Sequence, residues 1–221
     1  MSPSVFMSSP DRVAIFGASG FAREVADIAL ALGATEIVFM DAEPESDSLL
    51  GFPVVSESEA SALVARGFVL ALGIGANNVR QKVYERHADA QFPALIHPTA
   101  TFGYKQREAV ESQPGVIVAA GARFMNSITV SRGCVFSLNV TVGHDVIAEP
   151  FVGVMPGATI SGNVHLGARA YVGTGANIIQ GKSPAARLHI AEDAVVGAGA
   201  VVSKPVASGV TVVGVPARPL G

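Results

Sequence analysis

The stretch CVFSLN VTVGHD VIAEPF VGVMPG ATISGN VHL, residues 134–166, decides the fold when it is read in sixes. The first and third positions of every group are apolar: Cys134 and Phe136, Val140 and Val142, Val146 and Ala148, Val152 and Val154, Ala158 and Ile160, Val164 and Leu166. Working outward, the third-position column holds eleven residues in register, from Val118, Phe124 and Val130 through to Val172 and Ile178. After a longer segment that phase returns at Ile190, Val196 and Val202, while the other column, mostly smaller, runs from Ala122 and Ile128 to Ala170 and Ala176. A period of six suits neither an amphipathic helix, which repeats about every 3.6 residues, nor an alternating strand. It suits a β-helix, in which each hexad is a short strand plus a tight corner. Three hexads make a triangular coil, and stacked coils bury the two columns while pairing their backbones in parallel. Residues 104–114 and 180–188 interrupt the pattern and read as loops projecting from the coil.

Upstream the grammar changes. Val13-Ala14-Ile15-Phe16 is an apolar burst ending in Gly17-Ala18-Ser19-Gly20, after which Val25, Ile28, Ala29 and Leu32 recur at helical spacing until Gly33. Residues 36–41 and 68–73 read as further strands, 57–66 as a weaker helix, and 77–86 as a helix with Val79 and Val83 on one face. This is a small parallel βαβαβ unit closing near Phe92. The expected fold is therefore mixed α/β: an N-terminal extension at 1–11, a Rossmann-like domain at 12–97 and a β-helix at 98–221.

The 221 residues are 49% apolar and 15% charged, which excludes a disordered chain, and the apolar runs are too broken to span a membrane. A net charge of -3 offers no electrostatic footprint for nucleic acid or anionic lipid. One cysteine makes no internal disulfide, and residues 1–10 lack the basic flank and apolar run of a secretion signal, so a cytoplasmic setting is expected. With 24 glycines, no tryptophan and 6% aromatics, small and β-branched residues must fill the core.

Among five histidines, His144 stands between the inward residues Val142 and Val146, at a corner where its imidazole is free to face a ligand. A histidine is matched to proton transfer near neutral pH, and Asp145 beside it can fix the tautomer and stabilise the imidazolium. Cys134 lies in the small inward column and reads as core. In the first domain the glycine turn precedes a helix, where free N–H groups favour phosphate. Asp41 ends the second strand, like the acidic residue that reads a ribose in dinucleotide folds.

Together the hexad columns, the Gly17-Ala18-Ser19-Gly20 turn and the terminal Gly214-Val215-Pro216-Ala217-Arg218 resemble the NeuD/PglD-type family, sialic acid O-acetyltransferases and nucleotide-amino-sugar N-acetyltransferases among the hexapeptide-repeat acyltransferases. The resemblance implies a left-handed β-helix, a homotrimer with active sites between subunits, and transfer of acetyl from acetyl-CoA to the amino group of a nucleotide-linked 4-amino-4,6-dideoxysugar, with sialic acid or other sugar O-acetylation as the alternative. It implies His144 as general base acting directly, with Asp145 as its orienting partner and no metal. Backbone N–H groups near Gly153 or Gly162 would stabilise the oxyanion. Relatives often carry a second histidine, on the acetyl donor, where Gly153 stands here; His165, at a corner, could compensate. The pantetheine arm would lie along the corners carrying Thr174 and Ala198, with Lys204, Arg187 and Arg218 near the CoA phosphates. Ser19, Gly20, Phe21, Asp41, Gly73 and Gly75 would contact the nucleotide sugar, Phe21 replacing the family's usual histidine.

Three rivals compete. A nicotinamide enzyme lacks its Gly-x-Gly-x-x-Gly spacing here. A zinc trimer like the gamma-class carbonic anhydrases needs converging histidines, and His144, His165 and His189, 21 and 24 residues apart, drift off an 18-residue coil repeat. The third is a scaffold whose β-helix only trimerises.

Overall fold

The computed structural model describes residues 10–220, so most of the extension expected at 1–11 lies outside the described residues. The N-terminal domain runs β1 (Arg12–Phe16), α1 (Gly20–Ala31), β2 (Glu36–Asp41), a hairpin of β3 (Ser48–Leu49) and β4 (Phe52–Ser56), α2 (Ala60–Ala65), β5 (Val69–Leu72) and α3 (Asn77–Arg86). Its sheet has the order β3-β4-β2-β1-β5, parallel throughout except for the hairpin. The strands are apolar on both faces because both are covered. Val13, Ile15, Ile37 and Phe39 pack with α1, whereas Ala14, Phe16, Val38 and Met40 pack with α2 and α3. Helix α1 follows the expected spacing, burying Ala22, Val25, Ala26, Ile28 and Ala29, and the chain turns away at Gly33 with φ +100°. The hairpin, absent from the expected βαβαβ unit, adds β4 to the open edge of β2.

From Leu95 the chain is a parallel β-helix, its first rung Leu95–Ile96 pairing with Ile117–Val118 ahead of the expected boundary at 98. Nearly every rung is two residues long: the second points inward and the first outward, as in Arg123–Phe124, Thr141–Val142 and Thr159–Ile160. Both hexad columns are buried from end to end. Rungs eighteen residues apart pair in register, Val135 with Gly153 and Thr141 with Thr159, so each corner lies over the corner one coil before. Rungs that pair across the insertion at 180–187 are twenty-four residues apart, as Tyr171 and Val195 are, so the phase is kept across it.

Two expectations change. Residues 104–114 do not project: they contain a short helix, α4 (Gln106–Glu111), which folds back so that Val110 is buried in the solenoid core. Gln106 fastens it by imitating a missing rung, its amide donating to Ile128 O at 2.6 Å and accepting from Ile128 N at 3.0 Å. On α3, Val79 is exposed, and the buried face is Asn77, Arg80 and Val83.

That face docks on the solenoid. One ladder of rungs has apolar outward residues as well as inward ones, and Leu95, Ile117 and Val135 are buried against the core that includes α1. Beside them the Arg80 guanidinium is fully buried and satisfied by oxygens alone. It donates to Gly133 O at 2.9 Å, Phe151 O at 2.8 Å, Ile74 O and Gly75 O at 3.1 Å, and Asn77 Oδ1 at 2.8 Å. Burial pulls its pKa down to about 10, which leaves it charged at neutral pH. Five well-placed acceptors compensate its desolvation.

Cys134 is fully buried in the small column, and that burial pushes its thiol up to about 11. Iodoacetamide at mildly alkaline pH should leave it unmodified in the folded protein and alkylate it in urea, as read by mass spectrometry. Alkylation of the native protein at the rate of a free thiol would contradict a packed column.

Candidate active site

His144 and Asp145 form the corner between the rungs Thr141–Val142 and Ile147–Ala148. Asp145 has φ +58°, a left-handed conformation that short polar side chains tolerate at tight corners. Its carboxylate sits beside the preceding ring, with Oδ2 2.7 Å from His144 Nδ1. A carboxylate only accepts, so Nδ1 carries a hydrogen, and in the neutral ring Nε2 keeps a lone pair. The imidazole side chain is 42% exposed, so that lone pair is within reach of a ligand.

The coil above supplies the rest of the corner. Asn163 N donates to His144 O at 2.9 Å, placing Gly162 against the imidazole. A Cβ on Gly162 would lie 2.5 Å from His144 Nε2, and one on Gly143 would lie 2.6 Å from Gly162 N. Both positions must be bare for the ring to sit where it does. Ser161 N and Asn163 N have backbone acceptors, but Gly162 N–H has none among the described residues. Here it adjoins a basic ring nitrogen, an arrangement suited to removing a proton at one atom and stabilising oxyanion charge at its neighbour.

The insertion at 180–187 returns to this corner. Arg187 Nε donates to Asp145 O at 3.0 Å, and its Nη1 donates to Pro184 O. Arg187, expected near the CoA phosphates, is thus engaged with main chain beside the His144–Asp145 pair.

Gly153 is elsewhere. It lies in a rung of the docked ladder, its N–H donates to Ala170 O at 3.0 Å, and a Cβ there would meet Asn77 Oδ1 at 2.7 Å. Its bare Cα admits α3, and its N–H is not available to a carbonyl. His165 is not at a corner but in the middle of the rung Val164–Leu166, with Nε2 2.8 Å from Glu149 Oε1. His165 and His189 are direct cross-strand partners with ring centroids 4.6 Å apart. The expected drift off the coil repeat is therefore wrong for this pair, because the six inserted residues form a loop and leave the rungs aligned. Among the described residues no group of three or more His, Cys, Asp or Glu is arranged to hold a metal ion.

Thr174 and Ala198 are exposed at stacked corners, where a Cβ on Gly173 would come within 2.7 Å of Ala198 N. Lys204 follows Val202 as His144 follows Val142, farther along the same ladder, and is exposed. Arg218 lies exposed in a C-terminal strand antiparallel to Thr211–Val213.

In the first domain, β1 has β2 on one side and β5 on the other, so the chain reverses direction of build at the carboxyl ends of β1 and β5, where open α/β sheets bind ligands. The two turns touch. A Cβ on Gly17 would be 2.8 Å from Gly73 O, and one on Gly73 would be 2.7 Å from Phe16 O. Gly73 is buried at that contact, while Ser19, Gly20 and Gly75 are exposed around it. Ser19 precedes α1 and makes no side-chain capping bond, and Asp41, half-buried at the end of β2, accepts from Glu43 N at 3.1 Å. Phe21 packs toward the core between α1 and the solenoid.

Residues 12–87 match the PglD N-terminal domain family. The acetyltransferase domain of PglB from Neisseria gonorrhoeae FA1090, in complex with acetyl coenzyme A, is similar over 95% of this chain and 99% of its own, at 32% identity and a TM-score of 0.84. A histidine-to-asparagine mutant of perosamine N-acetyltransferase from Caulobacter crescentus, in complex with CoA and GDP-perosamine, is similar over 95% and 97% of the two chains, at 30% identity and a TM-score of 0.86. WeeI from Acinetobacter baumannii AYE matches over 95% and 99%, at 30% identity and a TM-score of 0.84. A likeness that spans both domains in their order, at these identities, makes this chain a member of the NeuD/PglD-type family of hexapeptide-repeat acyltransferases.

Proposed function

We propose that the protein transfers an acetyl group from acetyl-CoA to the amino group of a nucleotide-linked 4-amino-4,6-dideoxysugar. The observation that carries the reading is the corner at which His144, its Nδ1 held by Asp145, rests its Nε2 against a glycine whose N–H has no backbone acceptor among the described residues. Similarity to an acetyl-CoA complex and to a complex with CoA and GDP-perosamine supports the donor and the acceptor class.

In this mechanism the acceptor amine attacks the thioester carbonyl and His144 Nε2 takes the proton it sheds. Gly162 N–H donates to the oxygen that becomes negative, and Asp145 steadies the imidazolium through Nδ1. As the tetrahedral species collapses, the carbon–sulfur bond breaks, and His144 returns its proton to the departing thiolate. Gly162 takes the oxyanion role that Gly153 was expected to share, since the Gly153 N–H is held in its ladder. The donor lies along the corners of Thr174 and Ala198 toward Lys204 and Arg218, and the nucleotide occupies the crevice lined by Ser19, Gly20, Asp41, Gly73 and Gly75.

The reading includes a homotrimer. Met125 and Ile179 stand exposed on the corner column that carries His144, where a neighbouring subunit would cover them and complete the donor groove.

Thiol release from acetyl-CoA, measured against a panel of nucleotide-linked amino-sugars and free sialic acid, should proceed with at least one nucleotide-linked amine. His144→Asn should lower kcat by about 10²–10⁴-fold while the KM for acetyl-CoA stays close to that of the unaltered protein. Unchanged turnover in the variant would remove the base, and background release with every acceptor would return the chain to a scaffold. Sedimentation should find three copies per particle, and full activity in a monomer would refute the shared groove.

A further inference from the structure

We propose that Arg80 is a positioning residue, one that clamps the second lip of the nucleotide crevice to the solenoid and so fixes where a bound nucleotide sugar presents its amine. The proposal rests on the nucleotide-sugar reading above and concerns a residue that touches neither substrate.

The acceptors of this guanidinium divide between two places that must keep a constant relation if the reaction is to occur. On one side are Ile74 O and Gly75 O, in the turn after β5 that forms a lip of the crevice. On the other are Gly133 O and Phe151 O, at stacked corners of the solenoid that carries His144. Among the described residues no carboxylate pairs with Arg80, so the bonds serve geometry without neutralising the charge. Only a planar fork with five donors reaches both sets at once; an ammonium on a flexible stem does not.

Asn77 extends the clamp by one turn. Its Oδ1 accepts from Arg80 Nη2 at 2.8 Å, and its Nδ2 donates to Arg169 O at 2.8 Å and Ala170 O at 3.2 Å. The bare Gly153 makes room for that amide. Gln81 adds a third tie, accepting from Arg169 Nη1 at 2.9 Å. Polar groups of α3 thus bind the start of that helix, and the lip just before it, to the solenoid edge.

A purely structural role would lower thermal stability and affect both substrates alike. A positioning role separates them, because the reading above lays acetyl-CoA along solenoid corners, away from the crevice. Arg80→Lys and Asn77→Ala should be compared with the unaltered chain by steady-state kinetics, melting temperature, and calorimetric titration of GDP, UDP and dTDP. In Arg80→Lys the KM for the nucleotide sugar should rise about tenfold or more, with the KM for acetyl-CoA within about twofold and nucleoside diphosphate affinity falling in parallel. Asn77→Ala should shift the same quantities in the same direction by less, and it decides the matter alone if Arg80→Lys does not fold. Unchanged nucleotide KM and affinity in a folded variant, or equal rises for both substrates, would overturn the proposal. If the unaltered chain turns over no nucleotide sugar, the transferase reading fails and the diphosphate titration still tests the clamp. Binding lost in the variants upholds it, and unchanged binding, or none in the unaltered chain, refutes it.

Discussion

Parallel pairing of rungs eighteen residues apart lays each corner of the solenoid directly on the corner of the previous coil. Everything at the candidate site follows from that stacking. It puts Gly162 against His144, Asn163 N on His144 O, and leaves no room for a Cβ at either Gly143 or Gly162. A side chain two residues past an inward valine would otherwise sweep through solvent with no defined position. Here it is held by the backbone above it and by the carboxylate that follows it in sequence. The site is pre-organised by the repeat itself, at the cost of a tolerated left-handed residue at Asp145.

The same geometry explains how a second domain is attached. A β-helix rung exposes its first residue, which is polar in Arg123–Phe124, Thr141–Val142 and Thr159–Ile160. In Leu95–Ile96, Ile117–Val118 and Val135–Phe136 it is apolar, and these rungs form the surface that faces α1. Apolar burial supplies the attraction and is indifferent to small rotations. The carbonyl contacts of Arg80 and the amide contacts of Asn77 are directional and define one orientation. One domain holds the nucleotide crevice and the other the imidazole, so their mutual orientation matters for chemistry as well as for stability.

The hexads were legible because inward residues of a β-helix recur at a fixed interval whatever their identity, and a column of eleven survives local exceptions such as Ala148. Strands β1, β2 and β5 and helices α1 and α3 were legible for similar reasons of period and punctuation. What escaped the reading were contacts between elements. Arg80 looks like one more solvated charge on a polar helix until the carbonyls of Gly133 and Phe151 are seen to converge on it. Gly153 reads as a vacancy in a motif, whereas its small size serves Asn77. Counting twenty-four residues between His165 and His189 as drift treated loop residues as coil; the insertion leaves the ladder intact. The doubled apolar rungs, which mark the docked face, were a signal present in the sequence and left unused.

At the corner, the central claim is that a glycine keeps the basic nitrogen of His144 in place. Gly162→Ala tests it most directly, because the new Cβ would stand 2.5 Å from Nε2 and can be accommodated only by turning the half-exposed ring away. The account predicts a melting temperature close to that of the unaltered protein and an acetyl-transfer rate lower by about a hundredfold, the scale of a misplaced catalytic group. A folded Gly162→Ala protein that transfers acetyl at the original rate would contradict it.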